Sequence, residues 1–587
     1  MHSGGFAFRS DIAMVDVEPT NNNKLSYRSG LADKPLLGLT IGDQFDLTVE
    51  QFPHNDALIV RHQGIRLTYS QLQHRVNQLA KGLLEAGIKR GDRIGIWSPN
   101  NYEWIATQFA SSKIGAILVN INPAYRLHEL EYVLTQSGCV AIVISPQFRY
   151  SNYTQMMYEL CPELSASRPG QLKSEKFPNL HIIIRMGDEP APGMFTWPEI
   201  IDLGDEVPDD KLRKIQQDLQ FDDVINIQYT SGTTGFPKGA SLTHHNILNN
   251  GYFVAELQSI TEKDKICIPV PLYHCFGMVM GNLGCITHGA TIVYPAEGFD
   301  PLATLQAVEQ EKCTSLYGVP TMFIAELDHP DFAKFDLTSL RTGIMAGSPC
   351  PVEIMKKVTT LMNMSEVTIC YGMTETSPVS AQTRSDTPLG KRVSTVGVVH
   401  PHLEIKIVNP FNGKVVPIGE SGELCTRGYS VMSGYWNNEK ATREAIDPGR
   451  WMHTGDLAEM DEEGYLKIVG RIKDMIIRGG ENIYPREIEE FFHHHPEVSD
   501  VQVIGVPDEK YGEEIMIWIK RKPGSKSTEE DFRNFCKGKI AHYKIPRYVK
   551  FVDDFPMTVS GKVQKYLMRE ESIKELKLET AANTKTA

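Results

Sequence analysis

The sequence predicts an α/β protein with a large N-terminal domain of layered α/β sheets, a β-rich subdomain within it, and a small α+β C-terminal domain. Helical and strand patterns alternate from about Gly42 onward, which is typical of layered α/β folds with a largely parallel sheet. Between Val396 and Tyr435 the pattern changes to short strands and turns. A charged connector around Lys473 then precedes a compact tail of strands and one helix.

Length and composition support this class. The 587 residues can form several domains at roughly 100–200 residues each. Hydrophobic residues make up 41% and charged residues 23%, the usage of a globular protein. The net charge of −13 argues against a protein that coats nucleic acid with a basic surface, although it leaves room for a local basic pocket. Ten cysteines without a CxxC pair indicate reduced thiols in an intracellular protein.

Residues 1–41 are polar and rich in Asn, and we expect a flexible arm or a residual targeting segment there. Met1–Ser10 contains one Arg and no acid, as transit peptides do, but Asp11 and Asp16 then break that pattern. The last residues are not a peroxisomal Ser-Lys-Leu signal. No apolar run approaches the roughly 20 residues that span a bilayer.

The predicted elements follow in order along the chain. In the first part these are helices at 69–86 and 104–116, strands at 92–97 and 141–145, and a surface insertion at 161–178. In the middle they are strands at 224–229 and 367–371, a helix that opens at Cys350-Pro351, and a hairpin around Asn412-Gly413. The tail has strands at 501–506 and 515–519 and a helix at 528–540. We place the large domain at 42–470, the small one at 471–575 and a tail at 576–587.

The strongest local signal is the segment Tyr229–Gly239. It contains four Ser or Thr hydroxyls, three glycines and one Lys, so its backbone N–H groups can wrap around phosphates. It is not the P-loop of kinases and GTPases, because Pro237 precedes Lys238 and Gly239 follows it. The alternative is a flexible surface loop, which the density of hydroxyls disfavours.

Seven motifs in order then resemble one family, the adenylate-forming acyl-CoA synthetases. Besides the loop just described, they are Pro271–Gly277, Ala346–Pro349, Tyr371–Glu375, Thr454–Asp456, Gly470–Pro485 and Ser560–Lys562. The resemblance extends from about Gly42 to Arg569. Within the family, the segments 161–172 and 537–546 are most similar to mitochondrial medium-chain synthetases, which implies a mitochondrial matrix location, with the cytoplasm as the alternative.

The resemblance implies a role for each motif and a mobile C-terminal domain. As catalytic residues it implies Lys562, Lys238, Glu375, Thr374 and His274. As ATP and AMP ligands it implies Thr230, Ser231, Gly232, Thr233, Thr234, Gly235, Phe236, Pro237, Lys238, Gly347, Ser348, Tyr371, Asp456, Arg471 and Lys562. For coenzyme A it implies Gly479, Gly480, Tyr543, Lys544 and Arg547. Glu375 and Thr234 would hold Mg²⁺, and Lys473 would be the hinge.

The chemistry of such an enzyme accounts for these residue types. A carboxylate attacks the α-phosphate of ATP, and acyl-AMP and pyrophosphate result. The protein must therefore position charged groups and neutralise the phosphates. Taken singly, Asp456 could be a turn residue, Glu375 a helix N-terminal acid and Lys562 a solvated lysine, but their joint order under one reaction favours the functional interpretation.

The class of acid substrate can be narrowed from Pro271–Gly277, which resembles the family's substrate-gate segment, and from the residues around it. From Pro269 to Pro295 there is no Asp or Glu, so a buried substrate ammonium would lack a partner and an amino acid is disfavoured. The same stretch contains apolar candidates for an alkyl pocket, although ordinary core packing is an alternative for some of them: Met278, Val279, Met280, Leu283, Cys285 and Ile286. Medium-chain fatty acids and aromatic acids both fit. A non-catalytic binding protein is a further alternative, which the intact charged motifs disfavour.

Two histidine clusters are expected to be inert. Adjacent helical histidines at 493–495 point about 100° apart and do not converge on a metal ion. His244 and His245 follow the phosphate loop and are expected to cap or pack rather than to catalyse.

Overall fold

The structure is a computed structural model that describes residues 24–230, 237–348, 350–478, 481–508, 510–558 and 562–578, without the side chains of Glu481 and Asn482. None of the described helices is long and apolar enough to cross a membrane.

The described α-helices are amphipathic or buried segments, and several begin at a side-chain cap. Thr68 and Gln71, for example, form a reciprocal capping box at the second helix. The helices are α1 Ile41–Gln51, α2 Tyr69–Glu85, α3 Tyr102–Ile114, α4 Leu127–Ser137, α5 Tyr153–Leu160, α6 Trp197–Asp202, α7 Asp209–Gln217, α8 His244–Glu256, α9 Gly284–His288, α10 Pro301–Glu311, α11 Pro320–Leu327, α12 Val352–Leu361, α13 Leu389–Ser394, α14 Glu439–Ala445, α15 Pro485–His493, α16 Glu529–Cys536 and α17 Lys565–Glu575.

The strands are short, and those at the centre of the sheets are apolar on both faces. They are β1 Tyr27–Ser29, β2 Asp56–Val60, β3 Ile65–Thr68, β4 Arg93–Trp97, β5 Ile117–Ile121, β6 Ala141–Ile144, β7 Gln147–Phe148, β8 Ser151–Asn152, β9 Ile182–Arg185, β10 Phe195–Thr196, β11 Val224–Thr230, β12 Lys238–Thr243, β13 Lys265–Cys267, β14 Thr291–Tyr294, β15 Ser315–Gly318, β16 Thr342–Ala346, β17 Glu366–Gly372, β18 Val379–Gln382, β19 Val398–Val399, β20 Leu403–Val408, β21 Gly422–Gly428, β22 Gly434–Tyr435, β23 Met452–Met460, β24 Leu466–Arg471, β25 Ile476–Arg478, β26 Glu481–Ile483, β27 Val498–Asp508, β28 Gly512–Arg521 and β29 Tyr548–Phe551.

Two large sheets form the N-terminal part. The first runs β10-β9-β6-β4-β5-β11-β12-β22 and is parallel up to β11, after which β12 and β22 are antiparallel. The second runs β19-β18-β17-β16-β15-β13-β14-β2-β3 and is parallel from β17 to β2. One hydrophobic cluster joins residues of both sheets to α2, α3 and α8. Such double burial explains the continuous apolar runs of the central strands.

Two smaller sheets complete the fold. The β-rich subdomain is the antiparallel sheet β1-β20-β21-β23-β24, as the change of pattern after Val396 predicted. The C-terminal part has the sheet β26-β25-β28-β27, with β29 parallel to β28, and its own core around Phe492, Ile517 and Phe532. Helix α15 contacts β24 through Arg486, whose Nη1 donates to the Ile468 carbonyl oxygen at 3.0 Å.

The structure corrects some expectations. Residues 24–40 are not a flexible arm, because β1 pairs with β20 and Leu37 hydrogen-bonds Asn249 of α8. Residues 1–23 lie outside the described part of the chain. The stretch 161–178 is not merely a surface insertion, since Leu164, Leu172 and Phe177 are buried in a core cluster.

Candidate active site

Strands from both large sheets end at one place. β11 ends at Thr230 in the first sheet, and β16 and β17 end at Ala346 and Gly372 in the second. The segments that follow these ends carry the phosphate-loop, Gly347–Ser348 and Glu375 candidates. Carboxyl ends of parallel strands are where α/β folds place ligands, so this topology brings together motifs that are far apart in sequence.

The described phosphate-loop candidates lie at the end of β11 and at or just before the start of β12. The register pairs Thr230 with Lys238, and the Thr230 hydroxyl donates to the Lys238 carbonyl oxygen at 3.4 Å. Pro237 accepts a hydrogen bond from Tyr132 through its carbonyl oxygen at 3.0 Å. The other six candidates lie outside the described residues: Ser231, Gly232, Thr233, Thr234, Gly235 and Phe236. The antiparallel pair thus fixes both ends of this loop.

Tyr435 links the phosphate-loop lysine to the acidic motif. Its ring lies beneath Lys238, whose Nζ is 5.0 Å from the ring centre. Its hydroxyl donates to Glu375 Oε1 at 2.7 Å. Because β22 pairs with β12, the sheet itself delivers Tyr435 to this position. One aromatic side chain therefore holds a cation and a carboxylate close together.

Glu375 is a buried carboxyl group in the short 3₁₀ helix Thr374–Thr376 after β17. Burial raises its pKa, while the hydrogen bond from Tyr435 and the charges of Lys562 and Lys238 oppose that shift. Thr374 precedes it in the same turn and is partly buried. A carboxylate among cations in a desolvated site is a candidate ligand for a metal–phosphate complex.

Lys562 comes from the C-terminal part and reaches this site. Its main-chain N–H donates to Thr558 Oγ1 at 3.0 Å, and its carbonyl oxygen accepts from the Thr558 N–H at 2.7 Å, so two hydrogen bonds to Thr558 hold its main chain. Burial and the charge of Arg471 lower the pKa of Lys562, while nearby Asp456 and Glu375 raise it. The small domain therefore lies in an arrangement that brings this lysine to the other charged candidates.

Asp456 is held from both sides. Tyr371 donates its hydroxyl hydrogen to Oδ2 at 2.8 Å, and Arg471 donates from Nε to Oδ1 at 3.0 Å. Asp456 and Arg471 are paired across β23 and β24. The nearby negative charge of Asp456 raises the pKa of Arg471. The predicted ribose-binding pair and Tyr371 thus form one connected group.

The gate segment contains an irregular helix. Phe276–Leu283 is a π-helix, a form that is often found at functional sites. His274 precedes it, and burial together with the charge of Lys562 lowers its pKa to about 3, so the imidazole is neutral at physiological pH. Cys275 is buried and donates its thiol hydrogen to Gln228 Oε1 at 3.0 Å. The six apolar pocket candidates are all buried in the cluster that joins the large sheets.

Gly347 and Ser348 follow β16 at the same edge. Gly347 has a φ of +91°, a left-handed conformation that favours glycine. The Ser348 carbonyl oxygen accepts from the Cys350 thiol at 3.5 Å.

The coenzyme A and hinge candidates are spread over the C-terminal part. Lys544 pairs with Glu487 at 2.5 Å and Arg547 with Asp508 at 2.8 Å. Tyr543 lies beside Lys544 in the 3₁₀ helix His542–Lys544, and its carbonyl oxygen accepts from Arg478. Lys473 is exposed in the 3₁₀ helix Ile472–Asp474 that leaves β24. Gly479 and Gly480 lie outside the described residues.

The histidine clusters have structural contacts. His244 Nδ1 accepts from the Ile41 N–H at 3.1 Å. This residue, although distant in sequence, therefore caps the first turn of α1. His495 packs between Phe532 and Phe535. His494 hydrogen-bonds the Glu490 carbonyl oxygen on its own helix.

Comparisons with known proteins identify the family. A family model described as AMP-binding enzyme matches residues 45–436, and one described as the AMP-binding enzyme C-terminal domain matches residues 487–562.

The chain belongs to the AMP-binding enzyme family.

Full-length relatives of this AMP-binding enzyme are known. The protein YngI of Bacillus subtilis strain 168 is 52% identical over 546 residues, which cover 93% of this chain and 99% of YngI. The medium-chain acyl-CoA ligase ACSF2, mitochondrial, of Danio rerio is 48% identical over 94% of this chain and 91% of the relative. The human protein of the same name is 44% identical over 98% of this chain and 94% of its own length.

Solved structures of similar shape carry nucleotide ligands. ATP-bound MatB from Rhodopseudomonas palustris aligns with a TM-score of 0.79 at 26% identity and covers 91% of this chain and 99% of its own. The anthranilate CoA ligase AuaEII in complex with anthranoyl-AMP aligns with a TM-score of 0.80 at 25% identity. The alignment covers 93% of this chain and 99% of AuaEII.

Several contacts of this AMP-binding enzyme had not been expected from sequence. Tyr435 lies in a Gly-Tyr-Trp segment without a recognisable chemical motif, and its importance becomes visible from its two contacts alone. Gln228 lies in β11, and the sequence pattern of that strand predicts burial but not the hydrogen bond from Cys275. Glu423 is a further case, because it lies on β21 and contacts the Thr454–Asp456 segment on β23.

Proposed function

We propose that this protein activates a medium-chain fatty acid to its coenzyme A thioester in two steps, through an acyl-AMP intermediate, with release of AMP and pyrophosphate. It is thus an acid–thiol ligase that uses ATP. The observation that carries the proposal is the convergence of Lys562, Glu375 and Asp456 from distant segments at the carboxyl ends of the sheets. The medium-chain assignment rests on the named ACSF2 relatives at 44–48% identity.

In the first step the described residues neutralise and align charge. Lys238, above the Tyr435 ring, would bind the β- and γ-phosphates together with Thr230, Pro237 and the rest of the loop. Asp456 and Arg471 would bind the ribose, and Gly347, Ser348 and Tyr371 the adenine side. Lys562 would lie against the α-phosphate and the attacking carboxylate as negative charge builds between them. In-line attack then depends on this alignment.

The donor set is compatible with Mg²⁺. This cation binds one or two carboxylates and completes its shell with phosphate oxygens and water. Glu375 supplies one buried carboxyl group, and burial raises its pKa although the charges of Lys562 and Lys238 oppose the shift. Thr234 is the second candidate ligand. When bound, the ion would supply further neutralisation of phosphate charge.

In the second step the thiol of coenzyme A would lose its proton to solvent and attack the acyl-AMP carbonyl carbon, and AMP would leave with the electron pair of the broken acyl C–O bond. His274 and Thr374 lie at the gate and beside Glu375, where they would contact the acyl-adenylate. Gly479 and Gly480 would line the thiol tunnel after rotation about Lys473, and Tyr543, Lys544 and Arg547 would contact the nucleotide end. Lys544 and Arg547 would have to exchange their present acidic partners for phosphate.

An aryl-CoA ligase is the second candidate. It is favoured by the likeness to AuaEII, whose complex contains anthranoyl-AMP, and by a gate segment without acidic residues. Acyl-CoA formation should be measured across short, medium and long fatty acids, benzoate and anthranilate. We expect the highest kcat/KM with medium chains. A preference for the aromatic acids would establish the second candidate, and no thioester with any acid would indicate a non-catalytic binding protein.

We propose a mitochondrial location and the domain boundary at 470/471. The first is supported by relatives named as mitochondrial, while the YngI relative is bacterial. A fusion of residues 1–41 to a fluorescent protein should direct it to mitochondria, and a cytoplasmic signal would refute the assignment.

The domain boundary at 470/471 is supported by separate hydrophobic cores before and after it.

A further inference from the structure

The segment that carries Asp456 bulges out of its sheet. Cys425 of β21 pairs with His453 of β23, and Glu423 pairs with Leu457, so the three residues 454–456 lie opposite Leu424 alone. Gly455 has a φ of +70° within this bulge. Bulges of this kind re-aim side chains next to active sites. They also remove ladder hydrogen bonds, so the segment needs other contacts to stay in place.

Side chains replace the missing ladder bonds. The Thr454 hydroxyl donates to the Leu424 carbonyl oxygen at 2.7 Å and accepts from the Asp456 N–H at 3.1 Å. The Gly455 N–H donates to Glu423 Oε1 at 3.1 Å. Thr454 is thus a local support, whereas Glu423 reaches the bulge from the neighbouring strand.

Glu423 is itself fixed by charge. Its second oxygen, Oε2, lies 2.9 Å from His453 Nδ1, and Nε2 of the same ring lies 3.8 Å from Asp447 Oδ2. The Glu423 side chain is 12% exposed and the His453 side chain 33% exposed, so the carboxylate end of this pair is the more shielded from water. Asp447 accepts from the Trp451 N–H at 2.9 Å, which ties it to the turn before β23. The chain of contacts runs from Asp447 through His453 and Glu423 to Gly455.

We infer that Glu423 and His453 form a charge clamp that positions the Gly455–Asp456 bulge for the ribose of the nucleotide. Glu423 is a positioning residue, since it acts through Gly455. The inference rests on the proposed function, in which Asp456 binds the ribose hydroxyls. Tyr371 and Arg471 orient the carboxyl group of Asp456, and the clamp fixes the main chain from which that group projects.

The same side chains resemble a metal donor set, because ligand atoms of Glu423, Cys425 and His453 lie within 4.8 Å of one another. Zinc would need a deprotonated thiol and a neutral imidazole. Zinc binding would therefore have to displace a proton from both groups, since burial raises the pKa of Cys425, and hydrogen bonds with Cys425 and Glu423 raise the pKa of His453 to about 10. A protonated imidazole between two carboxylates fits the contacts better than a metal ligand does.

The test is discrimination between ATP and its deoxy analogues. We expect Glu423→Ala to lower the ratio of kcat/KM for ATP to that for 2′-deoxy- or 3′-deoxy-ATP by about tenfold, the effect of one hydrogen bond to a charged group. General damage to the fold would lower both values and leave their ratio unchanged. Glu423→Gln keeps one acceptor oxygen, which can serve Gly455 or the protonated His453 but not both, so it should restore the ratio only in part.

Control variants separate the possible failures. Glu404→Gln removes a carboxylate that pairs with Arg427 in the same sheet at 2.8 Å, and it should leave the ratio unchanged. If Asp456→Ala itself leaves the ratio intact, the ribose assignment fails. If Asp456→Ala abolishes discrimination but Glu423→Ala does not reduce it, the clamp is refuted. Stoichiometric Zn²⁺ binding to the purified protein that Cys425→Ser abolishes would also overturn the clamp in favour of a metal site.

Discussion

Glu375 and Glu326 are both almost fully buried, 5% and 1% exposed, and burial raises the pKa of each carboxyl group. Their surroundings differ. Glu375 accepts from Tyr435 and lies near Lys238 and Lys562. Glu326, on α11, has an Oε2 atom without a hydrogen-bond partner in the described part of the chain. Burial alone therefore does not mark a site; convergent charges from separate segments do.

The largest expected effect comes from Glu375→Gln. It retains the shape and the acceptor for Tyr435 but removes the charge, so acid-dependent ATP–pyrophosphate exchange should fall on the order of 10²–10³. Glu326→Gln is the matched control and should leave exchange unchanged. Similar losses in both variants would mean that Glu375 contributes through folding rather than through charge.

Lys562→Ala removes one of the cations that distinguish the two carboxyl environments. We expect exchange to fall on the order of 10²–10³, because in the proposed mechanism the lysine would lie at the α-phosphate during adenylation. Conversion of supplied acyl-AMP and coenzyme A to thioester should persist. An equal loss in both half-reactions would refute this role.

Lys473→Pro tests whether Lys562 is delivered by a swing of the small domain. Proline fixes φ near −65°, which suits the 3₁₀ turn Ile472–Asp474 of the present arrangement. Exchange should therefore survive, while thioester formation from acyl-AMP should fall about tenfold or more. Lys473→Ala keeps the backbone free and should support both half-reactions. Normal thioester formation in the proline variant would exclude Lys473 as the hinge.

The smallest effect on activity, and a measurable one on stability, is expected for Glu326→Gln. Burial raises the pKa of Glu326 in the folded state well above the ordinary value of 4.5. Above pH 4.5 the folded protein therefore keeps this proton, whereas the unfolded chain releases it. The free energy of unfolding should thus decrease as the pH rises above about 4.5, by at most about 1.4 kcal/mol per pH unit. Urea unfolding should be measured at pH 5 and pH 8. Between these pH values the free energy of unfolding should fall less for the variant than for the parent. An identical pH dependence would show that Glu326 is not a buried acid.

Much of the fold follows from local pattern. The helices at 69–85 and 102–114 and the strands at 93–97 and 141–144 lie within two residues of their predicted positions. The tail helix is shorter than predicted and ends at Cys536, because Lys537 has an extended backbone. The arm was mispredicted since its polar composition does not reveal that β1 would pair with β20, more than 370 residues away.

The sequence by itself determined the layered α/β class, the family and the identity of the charged motifs, because periodic burial and short motifs are encoded by neighbouring residues. The tertiary structure decided which of those groups meet. Tyr435 reaches Glu375 and Lys238 through pairing of β22 with β12, and Glu423 reaches Gly455 through a bulge between β21 and β23. Such contacts depend on strand register and on close packing between distant segments, and no local pattern specifies them.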